Sequence, residues 1–186
     1  MSEAVSVTME QIRVDQGQPW GVEIPGLAAA VRLGPQAQRR SFRLVSGVAD
    51  PPRETPLVDD DRFHVGSITK TFTAALIMQL DQSGRLSLDD TIDTWFDYPG
   101  GDGVTVEMLL AHTSGLPDFS DMPGHRRTAT PRESIALAAT GQPLFEPGTQ
   151  WSYSNTNYIL LGLIAEEVTG RTWEEELQVR FFEPLA

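Results

Sequence analysis

Ser67 and Lys70 lie three residues apart in the segment Gly66-Ser67-Ile68-Thr69-Lys70, and together they could carry out nucleophilic catalysis. Residues at positions i and i+3 share a helix face, so the hydroxyl and the amine would lie side by side. A helix N-terminus adds free backbone N–H groups and partial positive charge, which help to stabilise an oxyanion. A neutral lysine can take the serine proton during attack on a carbonyl. A helix-capping serine beside a solvated lysine has the same spacing, so this motif alone leaves both interpretations open.

Lys70 is the only lysine in the sequence, because the other thirteen basic residues are arginines. A codon bias explains the arginines but not why one lysine remains. Arginine cannot give up its proton in a protein, whereas lysine can. A group that must be neutral for part of a reaction cycle would therefore have to be lysine.

A second set of reactive side chains is Tyr153-Ser154-Asn155, between the turn at Pro147-Gly148 and an apolar segment. We predict that it lies on a loop. A phenol can relay a proton when a nearby cation stabilises the phenolate, and an asparagine side chain can bind an amine and an amide at once. The alternative is a capping loop with Tyr153 packed beneath it.

The composition excludes several other classes of site. The formal net charge is −12 and no basic stripe is present, so we expect no nucleic-acid partner. There are no cysteines, and His64, His112 and His125 lack the spacing of metal ligands, so we expect neither a metal nor another cofactor.

The apolar segments are short. Met1 to Gln18 has no basic start followed by an apolar run, and no segment approaches the roughly 20 residues that cross a bilayer. As written, the chain is expected to be cytoplasmic, without a membrane span.

The hydropathy pattern predicts strands followed by helices, which is typical of an α+β fold. The strands are expected at Gly26 to Leu33 and Ser41 to Val48, joined by a turn at residues 34–40 and followed by a loop at Pro51-Pro52. The helices are expected at Ser67 to Gln82, Thr105 to Ala111, Thr130 to about Gly141, Asn157 to Val168 and Thr172 toward Phe182. Two of them begin with capping boxes, at Thr130 and at Thr172.

An ordered series of motifs makes the catalytic interpretation more specific. The series is Phe63 to Phe72 (FHVGSITKTF), Gly84 to Asp90 (GRLSLDD), His112 to Pro117 (HTSGLP), Pro147-Gly148 and Tyr153-Ser154-Asn155. From about Gly21 to Leu185 the chain resembles the serine D-alanyl-D-alanine carboxypeptidases, the class C β-lactamases and their esterase relatives. The S-x-x-K motif is shared by related β-lactamases and penicillin-binding proteins.

The resemblance implies a β-lactamase/transpeptidase-like fold and assigns roles to four residues. Ser67 would form the acyl-enzyme and offer its backbone N–H to the oxyanion, Lys70 would be the general base, Tyr153 would relay the proton to the leaving group, and Asn155 would bind the substrate amide. His112 would support the site structurally. A Ser-His triad at His112 is disfavoured, because the sequence has no Gly-x-Ser-x-Gly elbow.

One expected element does not occur in these residues. A Lys/His-Thr/Ser-Gly strand, which supplies the second oxyanion donor and a carboxylate-binding face, should follow far beyond Asn155. We therefore predict an extension at residues 1–20 and a domain at 21–186 that lacks its C-terminal strands. The 186 residues alone are expected to fold marginally and to react poorly.

The expected substrate is a small molecule or peptide, with D-alanyl-D-alanine carboxypeptidase activity first. An esterase or a class C-like β-lactamase is the alternative within this chemistry. A non-catalytic binding module or an inactive fragment is the alternative outside it.

Overall fold

The computed structural model describes residues 24–33, 40–127 and 130–185, together with Gln11 and Arg13. It divides into two compact units, Met1–His64 and Val65–Ala186. The described strands lie in the first unit, and the helices predicted from the sequence lie in the second. The extension predicted at residues 1–20 lies outside the described residues, except for Gln11 and Arg13.

The first unit contains an antiparallel sheet in the order β1-β2-β3. Its strands are β1 (Gly26–Leu33), β2 (Arg40–Asp50) and β3 (Thr55–Pro56). The prediction for β1 is confirmed, and β2 is slightly longer than predicted at both ends. The predicted turn between them lies, at residues 34–39, outside the described residues.

The strand β3 was missed by the sequence analysis, which assigned a loop to this region. A 3₁₀ turn at Pro51–Arg53 reverses the chain, and β3 then pairs with the end of β2 through an irregular register. Prolines lower the strand signal of a sequence, yet they are tolerated at a sheet edge because no ladder hydrogen bond needs their missing N–H.

The second unit is built from helices. They are α1 (Thr69–Gln82), α2 (Val106–Ala111), α3 (Pro131–Ala138), α4 (Asn155–Thr169), α5 (Trp173–Leu177) and α6 (Glu183–Leu185). A π-helical turn at Gln178–Phe182 joins α5 to α6, and a 3₁₀ turn at Gly66–Ile68 precedes α1. Further 3₁₀ turns occur at Ile92–Thr94, Phe119–Asp121 and His125–Arg127. None of the helices among the described residues is long and apolar enough to cross a membrane.

The two helices whose starts carry a capping-box signal in the sequence begin where the sequence predicts. The capping boxes of Thr130 with Glu133 and of Thr172 with Glu175 are both formed. Each threonine accepts a hydrogen bond from the N3 backbone, and each glutamate accepts one from the N-cap backbone. These two predictions are confirmed.

Two helix starts near the predicted site differ from the prediction. The α-helix α1 begins at Thr69, so Ser67 lies in the preceding 3₁₀ turn. Helix α4 begins at Asn155 rather than at Asn157, so the prediction that Asn155 lies on a loop was wrong. The N-cap residue Ser154 makes no side-chain cap, and the backbone N–H of Asn155 donates instead to Asp118 Oδ2 at 3.0 Å. A cap supplied from another segment has no local sequence signal.

Helix α4 is the centre of the core of the second unit. It contacts α1, α2 and α3, which explains why its sequence is apolar on more than one face. Its buried residues pack with those of α1 and α2, and the large apolar side chains of these helices that are fully buried are Leu76, Ile77, Leu80, Val106, Leu109, Leu160, Leu161 and Ile164. Each such side chain contributes about 1.5–3 kcal/mol by its burial. This core fixes the relative positions of the N-termini of α1 and α4.

Gly115, in the segment after α2, allows us to predict a stability difference. Its φ is +75°, and a Cβ atom there would lie 2.2 Å from the carbonyl oxygen of Phe145. Gly103 has a similar φ of +71° with open space around it. Both alanine variants are destabilised by the left-handed backbone conformation. Only Gly115→Ala must also displace the backbone of Phe145, at a further cost of about 1–3 kcal/mol. We expect Gly115→Ala to melt several degrees below Gly103→Ala, and equal melting temperatures would contradict this.

Candidate active site

The four side chains predicted from the motifs come together where α1 and α4 begin. Lys70 Nζ donates to Ser67 Oγ at 3.2 Å and to Asn155 Oδ1 at 2.7 Å. Tyr153 OH lies 2.9 Å from Ser67 Oγ and donates to Asn155 Oδ1 at 3.3 Å. All four residues therefore belong to one hydrogen-bonded cluster within the second unit.

Ser67 and Lys70 differ in their exposure. Ser67 is exposed, as a nucleophile that must meet a substrate has to be, whereas Lys70 is half-buried. The Lys70 amine also lies 5.0 Å from the ring centroid of Tyr153 and 5.6 Å from that of Tyr158. Two aromatic rings and two oxygen acceptors thus hold the amine beside the hydroxyl.

Tyr153 is partly exposed, and its surroundings favour the ionised form of the phenol. Burial opposes ionisation, but hydrogen bonding to Lys70 and Ser67 and the positive charge of Lys70 outweigh it, so the pKa of Tyr153 is lowered. Tyr158 differs, because burial and the neighbouring Tyr153 raise its pKa. Its hydroxyl donates to the backbone carbonyl of Leu110 at 3.2 Å. Of these two phenols, Tyr153 is the one suited to proton transfer.

Asp118 is a site residue that the sequence analysis missed. Its Oδ2 accepts hydrogen bonds from Asn155 Nδ2 at 2.8 Å and from Asn155 N at 3.0 Å, while its Oδ1 accepts from Ser120 N at 2.9 Å. The only sequence signal was its place directly after the HTSGLP segment. Nothing local indicated its contact with a residue 37 positions later.

His112 makes the supporting contacts expected of it. It caps α2 with φ +59°, and its ring packs against Tyr153 and Tyr158 at centroid distances of 4.5 and 5.2 Å. Because Ser154 N–H can only donate, its 3.2 Å contact requires His112 Nδ1 to accept, which places the ring proton on Nε2. Asn157 Nδ2 lies at the same distance from this nitrogen. His112 Nδ1 thus lies within hydrogen-bond distance of two donors at the start of α4.

A cleft of about 440 Å³ opens beside Ser67 and Lys70. It runs between α1 and α4 toward Trp173, whose Nε1 donates to Thr73 Oγ1 at 3.1 Å. Its walls are mostly apolar, with Phe119 and Leu163 among the lining residues. Such a cleft could hold an apolar part of a substrate next to the nucleophile.

The acidic and histidine side chains are the possible metal ligands of this chain, which has no cysteine. Within residues 24–33, 40–127 and 130–185, no group of three or more of them is arranged to hold a metal ion.

The contacts of His112 predict that part of the stability depends on pH. Burial and the charge of Lys70 lower the pKa of His112, although Asp118 opposes this. The unfolded chain therefore binds the proton more tightly, so stability should be lost as pH falls from about 6.5 through the lower pKa of the folded state. His112→Asn removes the titrating group but tolerates positive φ. Between about pH 7.5 and pH 5.5 we expect the melting temperature of His112→Asn to fall less than that of the wild type. Equal falls in the two proteins would contradict the assignment of this pH dependence to His112.

Comparison with known proteins shows to which family the chain belongs. The sequence model of the β-lactamase family matches residues 14–186. Penicillin-binding protein 4 of Amycolatopsis lactamdurans is 36% identical over 169 residues, covering 87% of this chain and 43% of that protein. The D-stereospecific amidohydrolase from Streptomyces sp. superposes with a TM-score of 0.76 at 35% identity, covering 96% of this chain and 54% of the other.

The D-amino acid amidase from Ochrobactrum anthropi SV3, complexed with L-phenylalanine amide, has a TM-score of 0.75 at 32% identity. The match covers 97% of this chain and 51% of the amidase. The chain thus spans about half, or less, of the length of the relatives it matches. The predicted α+β architecture and β-lactamase/transpeptidase-like fold are confirmed, and the family match extends over most of the residues. This chain belongs to the β-lactamase family and is similar to penicillin-binding proteins and D-amino acid amidases.

Proposed function

We propose that the protein hydrolyses amide bonds through an acyl-enzyme on Ser67, with D-alanyl-D-alanine carboxypeptidase activity as the first reaction to test. One observation carries the proposal: Ser67 Oγ lies within hydrogen-bond distance of both Lys70 Nζ, at 3.2 Å, and Tyr153 OH, at 2.9 Å. A group that can accept a proton and a group that can pass one on therefore meet at the same oxygen.

In acylation, Ser67 Oγ attacks the carbonyl carbon of the substrate while its proton moves to Lys70 Nζ. A C–O bond forms, and the carbonyl π electrons move onto the oxygen. The backbone N–H of Ser67, in the turn before α1, would donate to this oxyanion. A second donor, on the strand implied by the family resemblance, would complete the oxyanion hole.

The tetrahedral intermediate then collapses. The C–N bond breaks, the leaving nitrogen takes the proton of Tyr153, and Tyr153 recovers a proton from the Lys70 ammonium. The lowered pKa of Tyr153 makes it a better acid for this step. In deacylation, water attacks the acyl carbon while one of its protons moves to Lys70 and Tyr153. The bond between the acyl carbon and Ser67 Oγ then breaks, and this proton passes to Ser67 Oγ and restores the hydroxyl.

Asn155 has two proposed roles in this cycle. Its Oδ1 binds Lys70 Nζ at 2.7 Å and so orients the base. As the resemblance implies, it would also contact the amide of the substrate, since it lies at the cleft beside Ser67. Asn155 is therefore proposed to bind the substrate and to orient Lys70.

The relatives support substrates with a D-configured residue on the acyl side of the scissile bond. A carboxypeptidase expels D-alanine and an amidase expels ammonia, so the two activities can share one acyl site. The likeness to a D-amino acid amidase, with a TM-score of 0.75, makes the hydrolysis of D-amino acid amides the second candidate. Paired D- and L-substrates, an ester and a β-lactam, assayed with the protein as its gene encodes it, would separate these activities from esterase and β-lactamase activity.

A non-catalytic binding module is the alternative of a different class. Exposure to a β-lactam followed by intact-mass analysis separates the two, because only an acylating serine acquires a covalent adduct. The adduct should be absent in Ser67→Ala. A wild-type protein that binds the β-lactam without a mass increase would contradict the proposed function.

Lys70→Arg tests the assignment of the base. Arginine keeps the charge and most of the length but does not accept a proton. We expect the acylation rate to fall by about 10²–10⁴. The control is Arg53→Lys, an exchange in the other direction at an exposed ion pair of the first unit. Acylation of Lys70→Arg at the rate of this control would refute the assignment.

Tyr153→Phe tests the proton relay. The ring still packs against His112, so the fold should persist while turnover of an amide falls by about 10²-fold or more. Tyr158→Phe is the matched exchange in the neighbouring ring, where the hydroxyl binds only to the carbonyl of Leu110 among the described residues. We expect a much smaller loss of turnover there. Equal losses in the two variants would show that packing, not proton transfer, is affected.

A further inference from the structure

We propose that Asp118 is a positioning residue, which sets the orientation of the Asn155 amide and thereby the orientation of Lys70. The proposal rests on the proposed function of Lys70 as the base. Asp118 lies just before the 3₁₀ turn Phe119–Asp121 and is half-buried. Both of its carboxylate oxygens are engaged, one by Asn155 and the other by Ser120 N.

The first step of the argument is the chemistry of the contact. An ionised carboxylate only accepts hydrogen bonds, so the end of the Asn155 amide that faces Asp118 must be the NH₂ group. The 2.8 Å contact between Asn155 Nδ2 and Asp118 Oδ2 has this arrangement. The carbonyl end, Oδ1, must then point the other way, toward Lys70 and Tyr153. With the amide reversed, its oxygen would face the carboxylate, and Lys70 Nζ and Tyr153 OH would lose the acceptor to which both now donate.

The second step concerns the amine. A neutral lysine amine has two N–H bonds and one lone pair. When Lys70 donates an N–H to Asn155 Oδ1, the position of the lone pair is restricted, and Ser67 Oγ lies 3.2 Å from the same nitrogen. Asp118 would thus direct the lone pair toward the serine proton without touching either Lys70 or the reacting atoms.

The third step is that Asp118 is itself held firmly. Its neighbours on both sides bind the start of α4: Pro117 O accepts from Ser154 Oγ at 3.2 Å and from Thr156 Oγ1 at 2.7 Å. Thr156 Oγ1 in turn accepts from Phe119 N at 3.0 Å. The segment 117–119 and the segment 154–156 are therefore joined on both sides of the contact between Asp118 and Asn155. Because its position is fixed in this way, the carboxylate of Asp118 can determine the orientation of the Asn155 amide.

The charge of Asp118 also acts on the cluster around Lys70. It opposes the lowering of the pKa in both His112 and Tyr153. The ionisable side chains that contact one another or the amine here are His112, Tyr153 and Tyr158. A test must therefore separate the position of the carboxylate from its charge.

The main test compares Asp118→Asn with Asp121→Asn. Asp121 ends the same 3₁₀ turn and is exposed, so its variant removes an equal charge at a short distance without contact to Asn155. We expect Asp118→Asn to slow β-lactam acylation of the full-length protein by about 10²-fold, as misorientation of a reacting group does, and Asp121→Asn to leave it unchanged. Equal rates in the two variants would overturn the proposal.

A spectroscopic signal tests the same idea without activity. Lys70 is the only lysine of these 186 residues, and in protein labelled with [ε-¹³C]lysine its resonance is identified by its absence from Lys70→Arg. We expect this resonance to shift in Asp118→Asn and to stay in place in Asp121→Asn. If the wild type forms no β-lactam adduct, the proposed function fails, while the resonance still decides whether Asp118 controls the surroundings of Lys70.

A double-variant cycle asks whether Asp118 acts through Asn155. In an Asn155→Ala background there is no amide to orient, so Asp118→Asn should cost little further acylation rate. An undiminished loss in that background would overturn the proposal.

Should Asp118→Asn not fold, Asp118→Glu retains the charge but shifts the carboxylate by one methylene. We expect slow acylation there too, and a wild-type rate would count against positioning.

Discussion

The hydrogen bond from Lys70 Nζ to Asn155 Oδ1, 2.7 Å long, joins the start of α1 to the start of α4, and the rest of the site depends on it. Its partners are 85 residues apart in sequence, so the chain must close a long loop before the bond can form. Loop-closure entropy grows slowly with length, but it must still be offset by other contacts. The buried contacts between α1 and α4, whose fully buried side chains include Leu76 and Leu161, provide that offset. The polar site is therefore positioned by the apolar core.

The segment after α2 connects this core to the site through polar contacts. Ser114, Ser154, Thr156 and Asn157 are all buried, and each has a hydrogen-bond partner. A buried polar group without a partner costs about 1–3 kcal/mol, so such a network is stable only when it is complete. Because these partners come from two segments, neither can shift alone without leaving a donor or acceptor unpaired. Tyr153 and Asn155, which flank Ser154, are held by that constraint.

The features that the sequence predicted are those whose causes lie within a few residues. The capping boxes at Thr130 and Thr172 are local, and the strand Gly26–Leu33 shows its own pattern. Ser67 and Lys70 are likewise joined by helical spacing. What the sequence did not reveal depends on distant partners. The start of α4 at Asn155 is stabilised by a carboxylate from residue 118, and the short strand Thr55–Pro56 exists only through its pairing with β2.

The corrected start of α1 also has a chemical consequence. In a turn that begins at Gly66, the first backbone N–H groups have no partner within the helix, and that of Ser67 is among them. Gly66 has φ +53°, although no atom of the described residues, apart from its own and those of its two chain neighbours, lies within 4 Å of where its Cβ would be. A glycine is therefore needed at position 66 because of the backbone conformation and not because of a lack of space. That conformation turns the chain sharply into the helix, leaving Ser67 exposed while Lys70, one turn later, is half-buried. The same turn therefore leaves Ser67 exposed, with its backbone N–H unpaired within the helix, and leaves the Lys70 amine half-buried.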